Sequence, residues 1–270
     1  MDRRDFRCNG SVAHASLKGQ VDGVAFVDGQ AQSVAVSVAD LLVAPNGALD
    51  RQLIYGERFC VLDYQDGFAF GFAVPSGFVG YVRQDQLQDQ AAPTHRVVTL
   101  GAHIYPTRSI KTTPVMALPF GAVIQASDQA DGFWRVGDGY IPAQQVQEID
   151  THEDDTAATA LRFLGVPYLW GGDSNWGLDC SGLVHAALRA AGRDCPRDSD
   201  QQEAFFAPAD GPAQRGDLVF WKGHVGMMVD RDTLVHANGH HMATTLEPLD
   251  VVKARIMQSE GKEVTSIRRP

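Results

Sequence analysis

Hydrophobic patterning divides this chain near residue 150. Upstream, apolar residues come in short runs broken by turn residues, without the 3.6-residue periodicity of a long helix. Leu53-Ile54-Tyr55, Phe59-Cys60-Val61-Leu62-Asp63-Tyr64, Phe68-Ala69-Phe70-Gly71-Phe72 and Gly80-Tyr81-Val82 are separated by Gly56-Glu57, Gln65-Asp66-Gly67 and Pro75-Ser76-Gly77. A second block repeats the arrangement, from Ala117-Leu118-Pro119-Phe120 through Asp131-Gly132-Phe133-Trp134 and Asp138-Gly139-Tyr140-Ile141 to Gln144-Gln145-Val146. All-β modules are predicted at 40–90 and 95–148, joined by the linker Gln88-Asp89-Gln90-Ala91-Ala92-Pro93-Thr94. Residues 1–39 form an N-terminal extension. Alternation at Val24-Ala25-Phe26-Val27 and Val34-Ala35-Val36-Ser37-Val38 predicts that it adds strands to the first module.

From residue 150 to 270 the pattern changes to mixed α and β. Thr151 with Asp154 forms a capping-box signature for a helix running to Leu164, which Gly165 and Pro167 end. After Cys180, the residues Leu183, Val184, Ala187, Leu188 and Ala191 recur on one helical face. Asp179 is the expected N-cap, Gly192 the stop, and His185 falls on the exposed side. The runs Leu218-Val219-Phe220-Trp221, Val225-Gly226-Met227-Met228-Val229 and Leu234-Val235-His236-Ala237 read as strands. The Asp230-Arg231-Asp232 break is short enough for a hairpin, so His224 and His236 are expected on adjacent strands, nearly opposite each other.

Composition narrows the classes. The 270 residues, 44% hydrophobic and 21% charged, are ordinary for soluble globular domains and imply more than one. A formal net charge of −10 argues against nucleic-acid binding and against electrostatic attachment to anionic lipid, and no membrane span is readable. The charged start Met1-Asp2-Arg3-Arg4-Asp5-Phe6-Arg7-Cys8 has no apolar core of a signal peptide, and the four cysteines are unpatterned for a disulfide framework. Both features predict a cytoplasmic protein if the chain begins here. Oligomeric state is not readable.

The candidate chemistry centres on Cys180. A helix N-terminus offers unpaired N–H groups and a partial positive charge, which favour a thiolate and a developing oxyanion. A lone cysteine is commonly a small buried residue; His224 and His236 on neighbouring strands change the weighing. Such a set supplies a nucleophile, a base that takes the thiol proton and returns it to the leaving amine, and a third residue that orients the base. Zinc is disfavoured, because Cys180, Cys195, His224, His236, His240 and His241 include no local ligand pair of the kind structural zinc uses. No metal or cofactor is therefore expected. His240 and His241, after Asn238-Gly239, read as a solvated turn.

Together, Pro167-Tyr168-Leu169-Trp170-Gly171-Gly172, Asp179-Cys180-Ser181-Gly182, Gly216-Asp217-Leu218, Gly223-His224-Val225-Gly226 and Val235-His236-Ala237 resemble the NlpC-type cysteine peptidases in order and spacing. The resemblance implies a papain-like α+β catalytic domain with Cys180 as nucleophile, His224 as base and His236 as third member. The upstream strand and turn pattern resembles the bacterial SH3-like barrel, twice over. The whole arrangement is similar to the YkfC-like subgroup, which cleaves murein peptides between γ-D-glutamate and the diamino acid.

That resemblance implies a free L-Ala-γ-D-Glu-diamino acid peptide as substrate, its N-terminal amine recognised in a groove walled by the first barrel. Asp179 would meet the substrate ammonium, Tyr168 and Trp170 would line the cleft with Tyr168 near the oxyanion, and Ser181 would touch the substrate through its hydroxyl. Asp198 and Ser199 match the region that binds the γ-D-glutamyl carboxylate and the alanine. In the first barrel Glu57 is the expected amine-binding glutamate and Tyr81 the expected tyrosine, with Phe78 competing for the aligned position. Other readings are a secreted wall hydrolase with wall-binding barrels, a non-catalytic scaffold, and an acyltransferase in which an amine resolves the thioester.

Overall fold

A computed structural model describes residues 2–74 and 76–270; Met1 and Pro75, each within a segment read above, lie outside the described residues. The chain divides into two compact units, Met1–Ile149 and Asp150–Pro270.

The first unit is all-β. Its larger sheet has seven strands in the order Leu49–Ile54, Val38–Leu42, Val79–Arg83, Phe68–Ala73, Arg58–Gln65, Gln30–Val34 and Leu87–Asp89. Alternate residues of these strands converge on a core containing Val34, Leu41, Leu53, Phe59, Val61 and Val82. Gln30–Val34 pairs with Arg58–Gln65, so part of the N-terminal extension is built into this sheet. Ala25–Val27 instead pairs in parallel with Val12–His14. Residues 95–148 form three smaller sheets around a separate core that includes Val97, Ala102, Leu118, Ile124 and Ile141.

The second unit is α+β. Six strands, all antiparallel to their neighbours, lie in the order Ala207–Pro208, Val264–Arg269, Leu218–Trp221, His224–Met228, Thr233–Asn238 and Ala243–Pro248. Helix α4 (Leu249–Glu260) lays Leu249, Val252 and Ile256 against Val219, Trp221, Met228 and Leu234. Strand alternation turns the buried Val225, Met227, Val235 and Ala237 to the other face, where α1 (Thr156–Leu161) and α2 (Cys180–Ala190) pack on the same strands. The hairpin turn is held by Asp230 Oδ1, which accepts from the N–H groups of Asp232 and Thr233 at 2.9 and 2.8 Å. Asp217, fully buried, accepts two bonds from Arg269 at 2.8 and 2.9 Å and thereby ties the final strand beside its own.

Two local expectations are corrected. Helix α1 begins at Thr156 rather than Thr151, because Asp155 caps it by accepting from the Ala158 N–H at 3.0 Å. His185 is buried beside Asp173, 3.8 Å away, so the helix face read as exposed is covered. Helix α3 (Ser199–Phe205) and the glycine-rich loop supply that cover; Gln202 of α3 donates to the Ser181 carbonyl at 3.0 Å.

The glycine-rich loop comes so close to the first turn of α2 that a Cβ on Gly182 would stand 2.6 Å from the Gly172 carbonyl oxygen. Backbone cannot retreat as a flexible side chain can. Gly182→Ala is therefore expected to destabilise by about 1–3 kcal/mol, the usual range for overpacking, with a lowered Tm in thermal unfolding. An unchanged Tm would show that the loop and helix separate freely.

Candidate active site

The site is assembled at the N-terminus of α2. Asp179 leaves helical geometry (φ −94°, ψ −178°) and its Oδ1 accepts from the Gly182 N–H at 2.7 Å, the expected N-cap. Its Oδ2 accepts from the Gly171 N–H at 2.9 Å. Gly171 sits at φ +74°, a left-handed conformation that favours glycine, so the loop can turn back onto the cap. Arg197, fully buried, completes the assembly: it donates to Asp173 at 2.8 Å, Asp179 at 2.9 Å, Ser181 Oγ at 2.8 Å and the Gly172 carbonyl at 2.8 Å. Burial works against its charge, but Asp173 and Asp179 outweigh burial and hold its pKa well above the ordinary arginine value.

Cys180 itself is buried. The strands of the hairpin pair at Met227–Val235 and Met228–Leu234; beside His224, the Val225 backbone N–H favours the charged form of the Cys180 sulfur, as does the Ser181 N–H. Helix start and strand start thus meet at the sulfur. Burial, reinforced by Asp179, pushes the thiol up to about 12 despite those two amides. Burial also lowers His224 to about 3, aided by His236, Arg255 and Lys262. The resting site accordingly holds a neutral thiol and a neutral imidazole. Such an imidazole keeps a lone pair free to receive the thiol proton throughout the physiological range, and that proton leaves as the sulfur attacks.

His224 Nε2 lies 2.8 Å from His236 Nδ1, so the structure brings together the predicted base and its orienting residue. The register offsets them diagonally rather than placing them opposite. Behind His236 stands Glu247, which sequence reasoning missed: its Oε2 is 2.9 Å from His236 Nε2, and Arg255 of α4 bonds both of its oxygens. Strand alternation offered a signal, because Glu247 pairs with Leu234 and Thr245 with His236, on the strand face that carries His236.

The other expected residues are placed as follows. Tyr168 is half-buried, and its phenol pKa is raised by burial and then by Cys180 and Asp179, which places it at the nucleophile. Trp170 is 68% exposed at the rim of the same loop. Asp198 occupies the N-cap position of α3 and Ser199 its first residue, both half-buried. The Ser181 hydroxyl donates to Asp179 at 3.1 Å and accepts from Arg197, so it braces the loop beside the nucleophile. The Glu57 side chain is 1% exposed, accepts from the Ile54 N–H at 3.2 Å and faces the equally buried Arg51 at 3.8 Å inside the β unit. Tyr81 packs on Phe70 with ring centroids 5.1 Å apart, whereas Phe78 is a core residue under Arg51. His240 and His241 are exposed, as expected of a solvated turn. Among the described residues no cluster has metal-ligand geometry.

A neutral resting pair makes a direct prediction for thiol chemistry. Alkylation of Cys180 by iodoacetamide is expected to be slow at neutral pH and to rise about tenfold per pH unit towards the alkaline range, since the thiolate is the reactive form. A fast plateau extending below pH 6, the mark of a preformed thiolate and imidazolium, would contradict it.

Comparison with known proteins agrees with this geometry. Residues 165–261 match the NlpC/P60 family and residues 41–87 match the bacterial dipeptidyl-peptidase Sh3 domain. The chain is 27% identical to the γ-D-glutamyl-L-lysine dipeptidyl-peptidase of Bacillus subtilis (strain 168) over 221 residues, 71% of this chain and 73% of that protein. It is likewise 27% identical to dipeptidyl-peptidase 6 of Lysinibacillus sphaericus, covering 70% of each. A crystal structure of an NlpC/P60 family protein from Bacillus cereus shares the fold, with a TM-score of 0.75 at 21% identity over 89% of this chain and 99% of that one. Residues 165–261, which carry Cys180 and the His224–His236 pair, form an NlpC/P60 cysteine peptidase domain, preceded in the chain by an SH3-like all-β domain.

Proposed function

We propose that this peptidase hydrolyses the bond between γ-D-glutamate and the diamino acid of murein peptides whose N-terminal L-alanine is free, and that it serves the recycling of such peptides in the cytoplasm. The observation that carries the reading is the span of the similarity. The relatives named as γ-D-glutamyl-L-lysine dipeptidyl-peptidase and dipeptidyl-peptidase 6 align over about 70% of both chains, beyond the peptidase segment alone. The electrostatics of the site agree with a cationic substrate terminus. Asp173 and Asp179 flank the Arg197 guanidinium beside Cys180, so two carboxylates stand close to the nucleophile. Asp179 Oδ2, bonded to the Gly171 N–H, retains a lone pair for an ammonium. Tyr168 and Trp170 shape the entrance, and Asp198 with Ser199 addresses the γ-D-glutamyl and alanyl portion.

In the reaction the Cys180 sulfur attacks the γ-carbonyl while His224 takes the thiol proton. The N–H groups at the start of α2 face the developing oxyanion. His224 then protonates the departing amine, and water activated by the same histidine hydrolyses the thioester. No helix among the described residues is long and apolar enough to cross a membrane.

The test is product analysis with L-Ala-γ-D-Glu-L-Lys and its diaminopimelate counterpart. L-Ala-γ-D-Glu and the free diamino acid are expected, and Cys180→Ala should abolish turnover, because losing the nucleophile costs several orders of magnitude. N-acetylation of the alanine should lower kcat/KM about a hundredfold or more, since it removes the charged donor that the remaining Asp179 lone pair would meet. Equal cleavage of acetylated and free peptides, or digestion of intact sacculi as fast as free tripeptide, would replace this reading with that of a wall hydrolase.

A further inference from the structure

His236 has two ring nitrogens, and its neighbours determine which one carries the proton. An ionised carboxylate can only accept, so Glu247 Oε2, 2.9 Å from His236 Nε2, requires an N–H there. Burial lowers the His236 pKa despite Glu247, so the ring is neutral and its remaining nitrogen, Nδ1, is a bare acceptor. That Nδ1 lies 2.8 Å from His224 Nε2, which must then be the donor. The lone pair of His224 is left on Nδ1, the ring nitrogen that the His236 contact does not occupy and hence the one available to a general base.

Glu247 is equipped for this task. Burial alone would raise its carboxyl, but the hydrogen bonds from Arg255 and His236 outweigh burial and hold it down to about 2, so it stays ionised at any working pH. Arg255 Nη2 donates to Oε2 at 2.9 Å and Nη1 donates to Oε1, a two-pronged clamp from α4 onto the strand that bears Glu247. Thr245 Oγ1 at 3.4 Å and His241 Nδ1 at 3.6 Å complete the surroundings of Oε2. Without the carboxylate, His236 is free to place its proton on Nδ1. That tautomer forces the His224 proton onto Nδ1 and removes the base.

We propose that Glu247, clamped by Arg255, is a positioning residue that extends the site to four members, Cys180, His224, His236 and Glu247, by fixing the tautomers of both histidines. The inference rests on the proposed peptidase chemistry for its kinetic consequence and on geometry alone for its tautomers. The two consequences are tested separately.

In the 15N-labelled wild-type protein, NMR should show His236 protonated at Nε2 and bare at Nδ1 at neutral pH; the reverse tautomer overturns the proposal without any variant. Glu247→Gln, whose amide can either donate or accept, should mix the His236 tautomers. With L-Ala-γ-D-Glu-L-Lys it should lower kcat about 10- to 100-fold and leave KM within about threefold, because only the base is disturbed. Glu247→Asp, which keeps the charge, should recover part of the loss. A kcat within about twofold of wild type in Glu247→Gln, with the tautomer unchanged, would reduce Glu247 to an ion-pair partner of Arg255. If Glu247→Gln does not fold, the wild-type spectrum decides. If the wild type fails to cleave the peptide, the substrate assignment falls while the tautomer measurement still stands.

Discussion

One buried guanidinium holds the catalytic corner together. Arg197 reaches from just ahead of α3 to Asp173 and the Gly172 carbonyl on the glycine-rich loop and to Asp179 and Ser181 at the start of α2. Each of those groups would be expensive to bury alone: two carboxylates, a carbonyl and a hydroxyl, all within a few residues of the nucleophile. Arg197 satisfies all of them, and removal of one partner from such a buried pair typically costs about 3–5 kcal/mol. The same charge opposes the rise that burial and Asp179 impose on the Cys180 thiol. Loop, helix cap and nucleophile therefore depend on one side chain, and the glycines that let the loop approach are useful only because Arg197 binds it there.

The sheet supplies the other half of the site. The hairpin carries His224 and His236, the next strand carries Glu247, and α4 returns over them with Arg255. The polar chain runs across neighbouring strands and ends in an ion pair between sheet and helix, so its geometry is set by strand register and by the apolar seam of Leu249, Val252 and Ile256 against the sheet. Precise donor and acceptor roles follow from rigid elements rather than from loops.

What was legible in the sequence was local. Cys180 stands beside its own N-cap, and His224 and His236 flank a three-residue turn; a few adjacent residues encode each arrangement. The division between β-rich and mixed segments was visible because the hydrophobic period changes. Contacts made at a distance were not legible. Glu247 looks like an ordinary polar residue of an edge strand and Arg255 like the wet face of a helix, and only the fold makes them neighbours. Arg197 was visible as part of a substrate-region motif, but its partners lie 18 and 24 residues upstream. His185 was misjudged because helical periodicity identifies the more apolar face and does not reveal that α3 and the loop bury the other. The internal bonds of Ser181 to Asp179 and Arg197, and the burial of Glu57 against Arg51, were likewise not legible, because a local motif does not show which partners a polar side chain finds in the fold.

The central claim is that Cys180 becomes acylated by the γ-D-glutamyl group. Intact-protein mass spectrometry after rapid acid quench of a mixture with L-Ala-γ-D-Glu-L-Lys tests it most directly. The account predicts a transient mass gain equal to one L-Ala-γ-D-Glu acyl group, located by peptide mapping on Cys180. Hydrolysis proceeding without any adduct under conditions that accumulate the intermediate, or an adduct on Cys8, Cys60 or Cys195, would contradict it.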